Sequence, residues 1–90
     1  MKRVHLIVSG RVQGVFYRDF VRREAERIGV KGFVRNLGEG GVEIVAEGEH
    51  DKIKEFIKSC RKGSFASFVK HVKVKEEKPT SEFEDFEIRF

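Results

Sequence analysis

Residues 4–29 read VHLIVSGRVQGVFYRDFVRREAERIG, and the spacing of the apolar residues changes within this stretch. Over residues 4–9, Val and Leu alternate with His, Ile and Ser, which is the period of two expected of a β-strand. Over residues 19–29, the apolar residues fall on one helical face, and Gly29 supplies a residue that readily takes the left-handed conformation at a helix end. The stretch therefore predicts a strand, a loop over residues 11–17 and a helix.

The remaining chain is predicted to form two strands joined by a glycine-rich turn, a second helix, an extended segment and a last short strand. The turn is expected at residues 38–41, which read GEGG. The second helix has apolar residues at offsets of three, four and seven. In chain order, these elements are predicted at residues 30–37, 42–47, 51–62, 68–78 and 86–90.

The order strand, helix, strand, strand, helix, strand is typical of an α+β protein with the ferredoxin-like βαββαβ fold. This fold is a two-layer sandwich, in which two helices pack on one face of a mostly antiparallel sheet. Because the first helix is a crossover, the first two strands are expected to run in the same direction, with the third inserted antiparallel between them. The ends of those two strands and the start of the first helix then share one edge of the sheet, about 10 Å apart.

The composition predicts a single domain over residues 1–90 and no membrane span, since no stretch approaches the ~18 apolar residues that a bilayer requires. Nineteen basic and fifteen acidic residues give a net charge of +4, which favours anionic ligands such as nucleic acid or phosphorylated metabolites. Cys60 is the only cysteine, so an internal disulfide and a two-cysteine metal or redox motif are both excluded. A reducing cytoplasmic location is therefore expected.

The predicted edge carries the loop and helix start at residues 10–18, which read GRVQGVFYR, and Asn36 at the end of the second strand. A glycine-flanked loop that leads into a helix can direct backbone N–H groups at an anion, and the helix dipole adds positive charge. Arg18 offers a planar fork of donors that fits two phosphate oxygens. Asn36 offers an uncharged donor and acceptor that suits a water molecule beside an anion. Spacing alone leaves a plain structural turn as an equal alternative.

Other reactive side chains are predicted to have structural or solvated roles. No histidine, cysteine or carboxylate pair is expected at the same edge, so any catalysis there would depend on positioning and charge stabilisation. His5, His50 and His71 lack the spacing of metal ligands, and no metal is predicted. Cys60 completes an apolar helical stripe and is expected in the core. The phenylalanines are expected mostly to line the core as well.

Three motifs resemble the acylphosphatase family: GRVQGVFYR at residues 10–18, GFVRN at residues 32–36 with Gly41 and Val42 after it, and FEIRF at residues 86–90. The resemblance implies a small cytoplasmic enzyme that hydrolyses the carboxyl–phosphate anhydride of acyl phosphates without a metal or cofactor. It also implies that Asn36 orients the attacking water. The phosphoryl group would be bound by Arg18 and by the backbone amides of the loop, that is, by Gln13, Gly14, Val15, Phe16, Tyr17 and Arg18.

The expected partners are an acyl phosphate substrate and inorganic phosphate, which would be both product and inhibitor. The protein is expected to be a monomer that binds neither nucleic acid nor a membrane. A ferredoxin-like RNA-binding module is an alternative, because the chain is basic and residues 31–34, KGFV, are similar to part of an aromatic RNA-binding motif. Against it, one side of the third strand carries Glu43, Val45 and Glu47, a poor surface for phosphates. A catalytically inactive anion-binding domain remains the second alternative.

Overall fold

The computed structural model describes all 90 residues, which form five strands and two helices. In chain order these are β1 (Lys2–Arg11), α1 (Tyr17–Ile28), β2 (Lys31–Asn36), β3 (Val42–Gly48), α2 (His50–Lys62), β4 (Phe68–Glu77) and β5 (Phe86–Arg89).

The strands form one sheet in the order β4-β1-β3-β2-β5, and both helices pack on the same face. β3 lies antiparallel between β1 and β2, so these two strands run in the same direction. The predicted ferredoxin-like βαββαβ sandwich is confirmed. The segment predicted only as extended forms a further strand, β4, on the outer edge of β1, and the predicted last strand, β5, pairs in parallel with the outer edge of β2.

The core lies between the sheet and the helices and follows the predicted alternation in β1, where Val4, Leu6 and Val8 are fully buried. The same sheet face of β3 buries Val42 and Ile44. The helices contribute Val21, Ala25, Ile53, Phe56 and Cys60 to this core. Cys60 is therefore a core residue, as predicted.

Helix α1 begins at Tyr17, two residues earlier than predicted. Tyr17 is buried and continues the stripe of Val21 and Ala25, whereas Phe20, which was expected on that stripe, is only half-buried. The Tyr17 hydroxyl donates a hydrogen bond to the Cys60 carbonyl at 2.8 Å. This bond joins the start of α1 to the end of α2, a tertiary contact that periodicity within α1 does not reveal.

The prediction that the phenylalanines mostly line the core is wrong. Of nine, only Phe56 and Phe86 are buried. Four are largely exposed, and all of these lie in loops or at the ends of edge strands: Phe16, Phe65, Phe68 and Phe90. Their positions fall outside the periodic stripes that face the core, so their apolar character alone does not bury them.

The sheet face opposite the helices carries carboxylates that are already paired. Glu43 contacts His5 Nε2 at 2.7 Å and accepts a hydrogen bond from Arg35. Glu47 is only 4% exposed, because the segment between β4 and β5 folds over it. Its carboxylate accepts hydrogen bonds from Arg3 Nη1 at 2.8 Å and from the backbone of that segment.

Candidate active site

The loop between β1 and α1, residues 12–16, forms one wall of the candidate site. Val12 is buried and fixes the start of the loop to the core. Gly14 and Phe16 both have left-handed backbone conformations, with φ of 71° and 63°. A side chain at Gly14 would meet no atom within 4 Å, so the backbone angle, not space, favours glycine there.

The backbone N–H groups of residues 13–19 donate to no carbonyl or side chain of the protein, and the first helical bond runs from Phe20 N–H to the Phe16 carbonyl at 3.0 Å. Free N–H groups are normal in the first turn of a helix, and here the preceding loop adds more of them. They lie at the positive end of the α1 dipole. This segment, which we call the phosphate loop, therefore has unused donors for an anion.

Gln13 ties the phosphate loop to the turn that follows β2. Its Nε2 donates to the carbonyl oxygens of Leu37 at 2.8 Å and Gly41 at 2.7 Å. The turn is closed by a bond from Leu37 N–H to the Gly41 carbonyl at 2.8 Å. The side-chain donors of Gln13 are thus engaged within the protein, and its backbone N–H is the donor that it offers to an anion.

Arg18 is the second residue of α1 and is half-buried. Its guanidinium carbon lies 4.7 Å from the centroid of the Phe90 ring, and Nη1 donates to the Arg89 carbonyl at 3.4 Å. Arg18 forms no ion pair, whereas Arg22 and Arg23 in the next turn both pair with Asp19. Its positive charge is therefore not compensated by a carboxylate of the protein.

Asn36 is the last residue of β2, and its Oδ1 is buried without a hydrogen-bond partner. Buried polar atoms nearly always have a partner, so this oxygen marks a position where a donor from water or a ligand would be stabilised. Neutral amide groups of this kind can orient water without competing as a base.

The sheet register brings these groups to one edge. Val42 of β3 pairs with Val8 of β1 on one side and with Asn36 of β2 on the other, so Asn36 lies level with Val8, three residues before the end of β1. The contact of Arg18 with Phe90 carries its guanidinium to the end of β5, which runs beside β2. The phosphate loop, Arg18 and Asn36 therefore occupy the same edge, as the topology predicts.

A cavity of about 290 Å³ opens at this edge and is lined by Gly14, Phe16, Arg18 and Phe90, among others. Asn36 does not line it. Residues 89 and 90, which hold the Arg18 guanidinium, were not identified as contacts of Arg18 from the sequence. The FEIRF motif at residues 86–90 marks this segment in the sequence. Its contact with Arg18 of α1 arises because β5 pairs with β2 in the sheet, which the motif alone does not reveal.

The other candidate metal ligands and nucleophiles are bonded within the protein, buried in the core or far from one another. No group of three His, Cys, Asp or Glu side chains is arranged to hold a metal ion. His5 is bound to Glu43, and Cys60 is fully buried, where burial raises the pKa of its thiol. Neither helix is long and apolar enough to cross a membrane.

Comparison with known proteins identifies the family. The family model for acylphosphatase matches residues 4–88. The chain is 48% identical over 90 residues to the acylphosphatase of Syntrophus aciditrophicus, covering 100% of this chain and 94% of that protein. It is 46% identical to that of Bacillus licheniformis over the full length of both. The crystal structure of acylphosphatase from Bacillus subtilis superposes with a TM-score of 0.96 at 37% identity, covering 100% of both chains. The chain therefore belongs to the acylphosphatase family of acid-anhydride hydrolases.

Proposed function

We propose that this protein hydrolyses acyl phosphates to a carboxylate and inorganic phosphate by direct in-line attack of water, without a metal or a covalent intermediate. One observation carries the proposal: the free N–H groups of the phosphate loop lie at the same sheet edge as the Arg18 guanidinium, which has no carboxylate partner, and the unpartnered Oδ1 of Asn36. These are the donors and the acceptor that a phosphoryl group and an attacking water require.

The phosphate loop and Arg18 would bind the phosphoryl group. Phosphoryl transfer has a loose transition state with charge spread over the three equatorial oxygens, where fixed donors stabilise it most. In the proposed complex, the amides of residues 13–18 and the planar guanidinium surround these oxygens. The Phe90 ring and the Arg89 carbonyl hold the guanidinium before substrate binds, which reduces the cost of ordering it.

Asn36 would position the attacking water. Its Oδ1 accepts a hydrogen bond from water, which directs a lone pair of that water toward phosphorus on the side opposite the acyl oxygen. Because a carboxylate is a good leaving group, no strong general base is needed, and the water proton can pass to a phosphoryl oxygen. The P–O bond to the carboxylate breaks as the P–O bond to water forms.

A covalent route is disfavoured by the state of the nucleophiles. Cys60 is fully buried, and His5 lies on the open face of the sheet in contact with Glu43. With no activated side chain at the edge, direct attack by water is the simplest route that uses the groups present. A phosphoenzyme trapped by rapid quench during turnover would contradict this route.

Kinetics of two variants test the assignment. We expect Arg18→Ala to raise KM and lower kcat together, with a loss of about 100-fold or more in kcat/KM for benzoyl phosphate. Asn36→Ala should lower kcat with little change in KM. Arg11→Ala is the matched control, because Arg11 is exposed at the end of β1, directly before the phosphate loop, and forms no ion pair. The opposite pattern of effects would reverse the two roles, and wild-type activity in both variants would overturn the site.

Further expectations on inhibition, metal dependence, location and nucleic-acid binding belong to the proposal. Inorganic phosphate should inhibit competitively, and EDTA should leave the rate unchanged. The protein is proposed to act as a cytoplasmic monomer, which light scattering and cell fractionation test. It should not retard a single-stranded oligonucleotide at moderate salt, because Glu43 and the segment that covers Glu47 occupy the open sheet face on which bases would stack. Loss of activity with EDTA would contradict the metal-free mechanism.

A further inference from the structure

A patch of exposed apolar surface lies beside the phosphate loop. A groove of about 620 Å³ between α1 and α2 is lined at its loop end by Val15, Phe16, Phe20 and Phe65. Phe16 is 81% exposed as a residue, and Phe65 is fully exposed. Adjacent apolar side chains that remain in solvent are typical of surfaces that bind a ligand or a partner.

This groove adjoins the candidate active site at Phe16. Phe16 lines both the groove and the cavity that contains Arg18. Its own N–H is one of the free donors of the phosphate loop. A molecule whose phosphoryl group sits on the phosphate loop therefore has the Phe16 ring within reach of the rest of its structure.

The direction of in-line attack selects this side of the site. Water held by Asn36 approaches from the end of β2, so the acyl oxygen must leave from the side opposite β2. The phosphate loop follows β1, which is separated from β2 by β3. Phe90, in contrast, lies at the end of β5, beyond β2. The acyl group is thus directed toward Phe16 and Phe65 and away from Phe90.

We propose that the loop end of the groove, formed by Phe16 and Phe65, binds the acyl group, and that preferred substrates carry a hydrocarbon acyl chain of moderate length. The inference rests on the proposed hydrolysis of acyl phosphates. The far end of the groove limits the chain, because it carries charged residues, including Arg27 in ion pairs with Glu24 and Glu55. A hydrocarbon that reached these groups would displace their water without replacing its hydrogen bonds.

A series of unbranched acyl phosphates isolates the contribution of the chain. Acetyl, butanoyl and hexanoyl phosphate have carboxylates of nearly equal leaving ability, so differences in kcat/KM report contacts with the hydrocarbon. Burial of one methylene in a groove open on one side is expected to raise kcat/KM about twofold, so hexanoyl phosphate, with four more methylenes, should be hydrolysed about 16-fold more efficiently than acetyl phosphate. The gain should level off in longer chains.

The ratio of hexanoyl to acetyl kcat/KM is then measured in three variants. It should fall to about three in Phe16→Ala and in Phe65→Ala, since each removes one apolar wall. Phe68→Ala is the matched control and should keep the ratio, because Phe68 is 66% exposed near the same edge but lines neither the groove nor the cavity. Thermal unfolding should be nearly unchanged in the two variants at the exposed residues Phe65 and Phe68.

The outcomes separate this inference from the proposed function. Hydrolysis of acetyl phosphate with a wild-type ratio near one, or with a ratio retained in both Phe16→Ala and Phe65→Ala, overturns the acyl site and leaves the proposed function standing. Failure to hydrolyse any of the three substrates overturns the proposed function, and the acyl site with it.

Discussion

Gln13 connects the two halves of the site through a single amide. Its Nε2 is shared between the carbonyls of Leu37 and Gly41, which belong to the turn directly after Asn36. The phosphate loop and the strand end that carries Asn36 are therefore held in register by side-chain donors, even though they are far apart in the sequence. We infer that Gln13 is a positioning residue for the attacking water.

Gln13→Met tests this role, because methionine has a similar length and no donor. Each of the two carbonyls would lose one hydrogen bond and keep the one it accepts within the turn, which should lower the free energy of unfolding by about 1–2 kcal/mol. We expect kcat to fall about tenfold, with a smaller change in KM, because Asn36 is displaced more than the loop amides are. Urea denaturation and steady-state kinetics on benzoyl phosphate measure the two effects. Unchanged kcat together with reduced stability would limit Gln13 to a structural role.

At the scale of elements, β2 is hydrogen-bonded to β3 on one side and to β5 on the other. Gly32 allows the backbone of β2 to approach the backbone of β3 closely. Gly32 lies between Ala46 of β3 and Phe86 of β5, with φ of 149°. A Cβ atom at this position would overlap the backbone carbonyl oxygen of Val45. Neither strand can withdraw easily, because both are bonded to β2.

We therefore expect Gly32→Ala to destabilise the protein by at least about 4 kcal/mol, since the clash involves rigid backbone. Gly40→Ala is the matched control: Gly40 also has positive φ, 101°, but a side chain there would meet no atom within 4 Å. It should cost only about 1–2 kcal/mol of backbone strain. Urea unfolding of both variants measures the difference. Similar stabilities would show that β2 can move away from β3.

Glu47 fastens the segment between β4 and β5 to the open face of the sheet. Burial alone would raise the pKa of its carboxyl, but hydrogen bonds from the Thr80 backbone, the Arg3 guanidinium and the Ser81 backbone outweigh this effect. The pKa falls from its ordinary value of 4.5 to about 2. The folded state therefore binds this proton more weakly than the unfolded chain does.

The sign of this shift predicts how stability depends on acid. A carboxyl with a lowered pKa stabilises the fold above its ordinary pKa of 4.5, and this contribution is lost as the pH falls toward about 2. Glu47→Gln should lower the free energy of unfolding at pH 7 by about 2–4 kcal/mol and should flatten its decline between pH 4.5 and 2. Urea titrations across this range provide the measurement. An equally steep decline in the variant would assign the acid sensitivity to other carboxyls.

At the scale of the whole molecule, the sequence predicts those features that repeat. The alternation of Val4, Leu6 and Val8 and the helical stripe of α2 were sufficient for the βαββαβ order, because periodic burial determines which face an element presents. The pairing of β5 with β2 was not predictable in this way. A four-residue strand carries little periodic signal, and its partner is determined by the space left beside β2.

In the site, too, motifs and topology are predictable from the sequence, whereas contacts between side chains of different elements are not. The loop motif and the crossover topology predict that residues 10–18 and Asn36 share one sheet edge, while their roles in binding and catalysis stay a prediction. The roles of side chains that act across elements were not found. For Tyr17, the sequence predicts a role only for the backbone N–H, yet the side-chain hydroxyl donates a hydrogen bond to the Cys60 carbonyl of α2. The Arg18 guanidinium packs against the Phe90 ring. Such contacts depend on three-dimensional neighbours.

Cys60 reports the stability of the whole fold, because it is the only cysteine and is fully buried. Burial also raises the pKa of its thiol, so a thiol reagent should react only after the chain opens. In native buffer, labelling should be slower than in denaturant by the ratio of folded to unfolded protein.

A ligand that binds only the folded state lowers the open population further, by a factor of about ten when its concentration is about ten times its Kd. Inorganic phosphate should therefore slow labelling about tenfold at that concentration, whereas chloride of equal ionic strength should not. Arg18→Ala should lose this protection while its thiol stays slow to react without phosphate. Rapid native labelling would contradict the buried position of Cys60, and equal protection by chloride would contradict a phosphate site at Arg18.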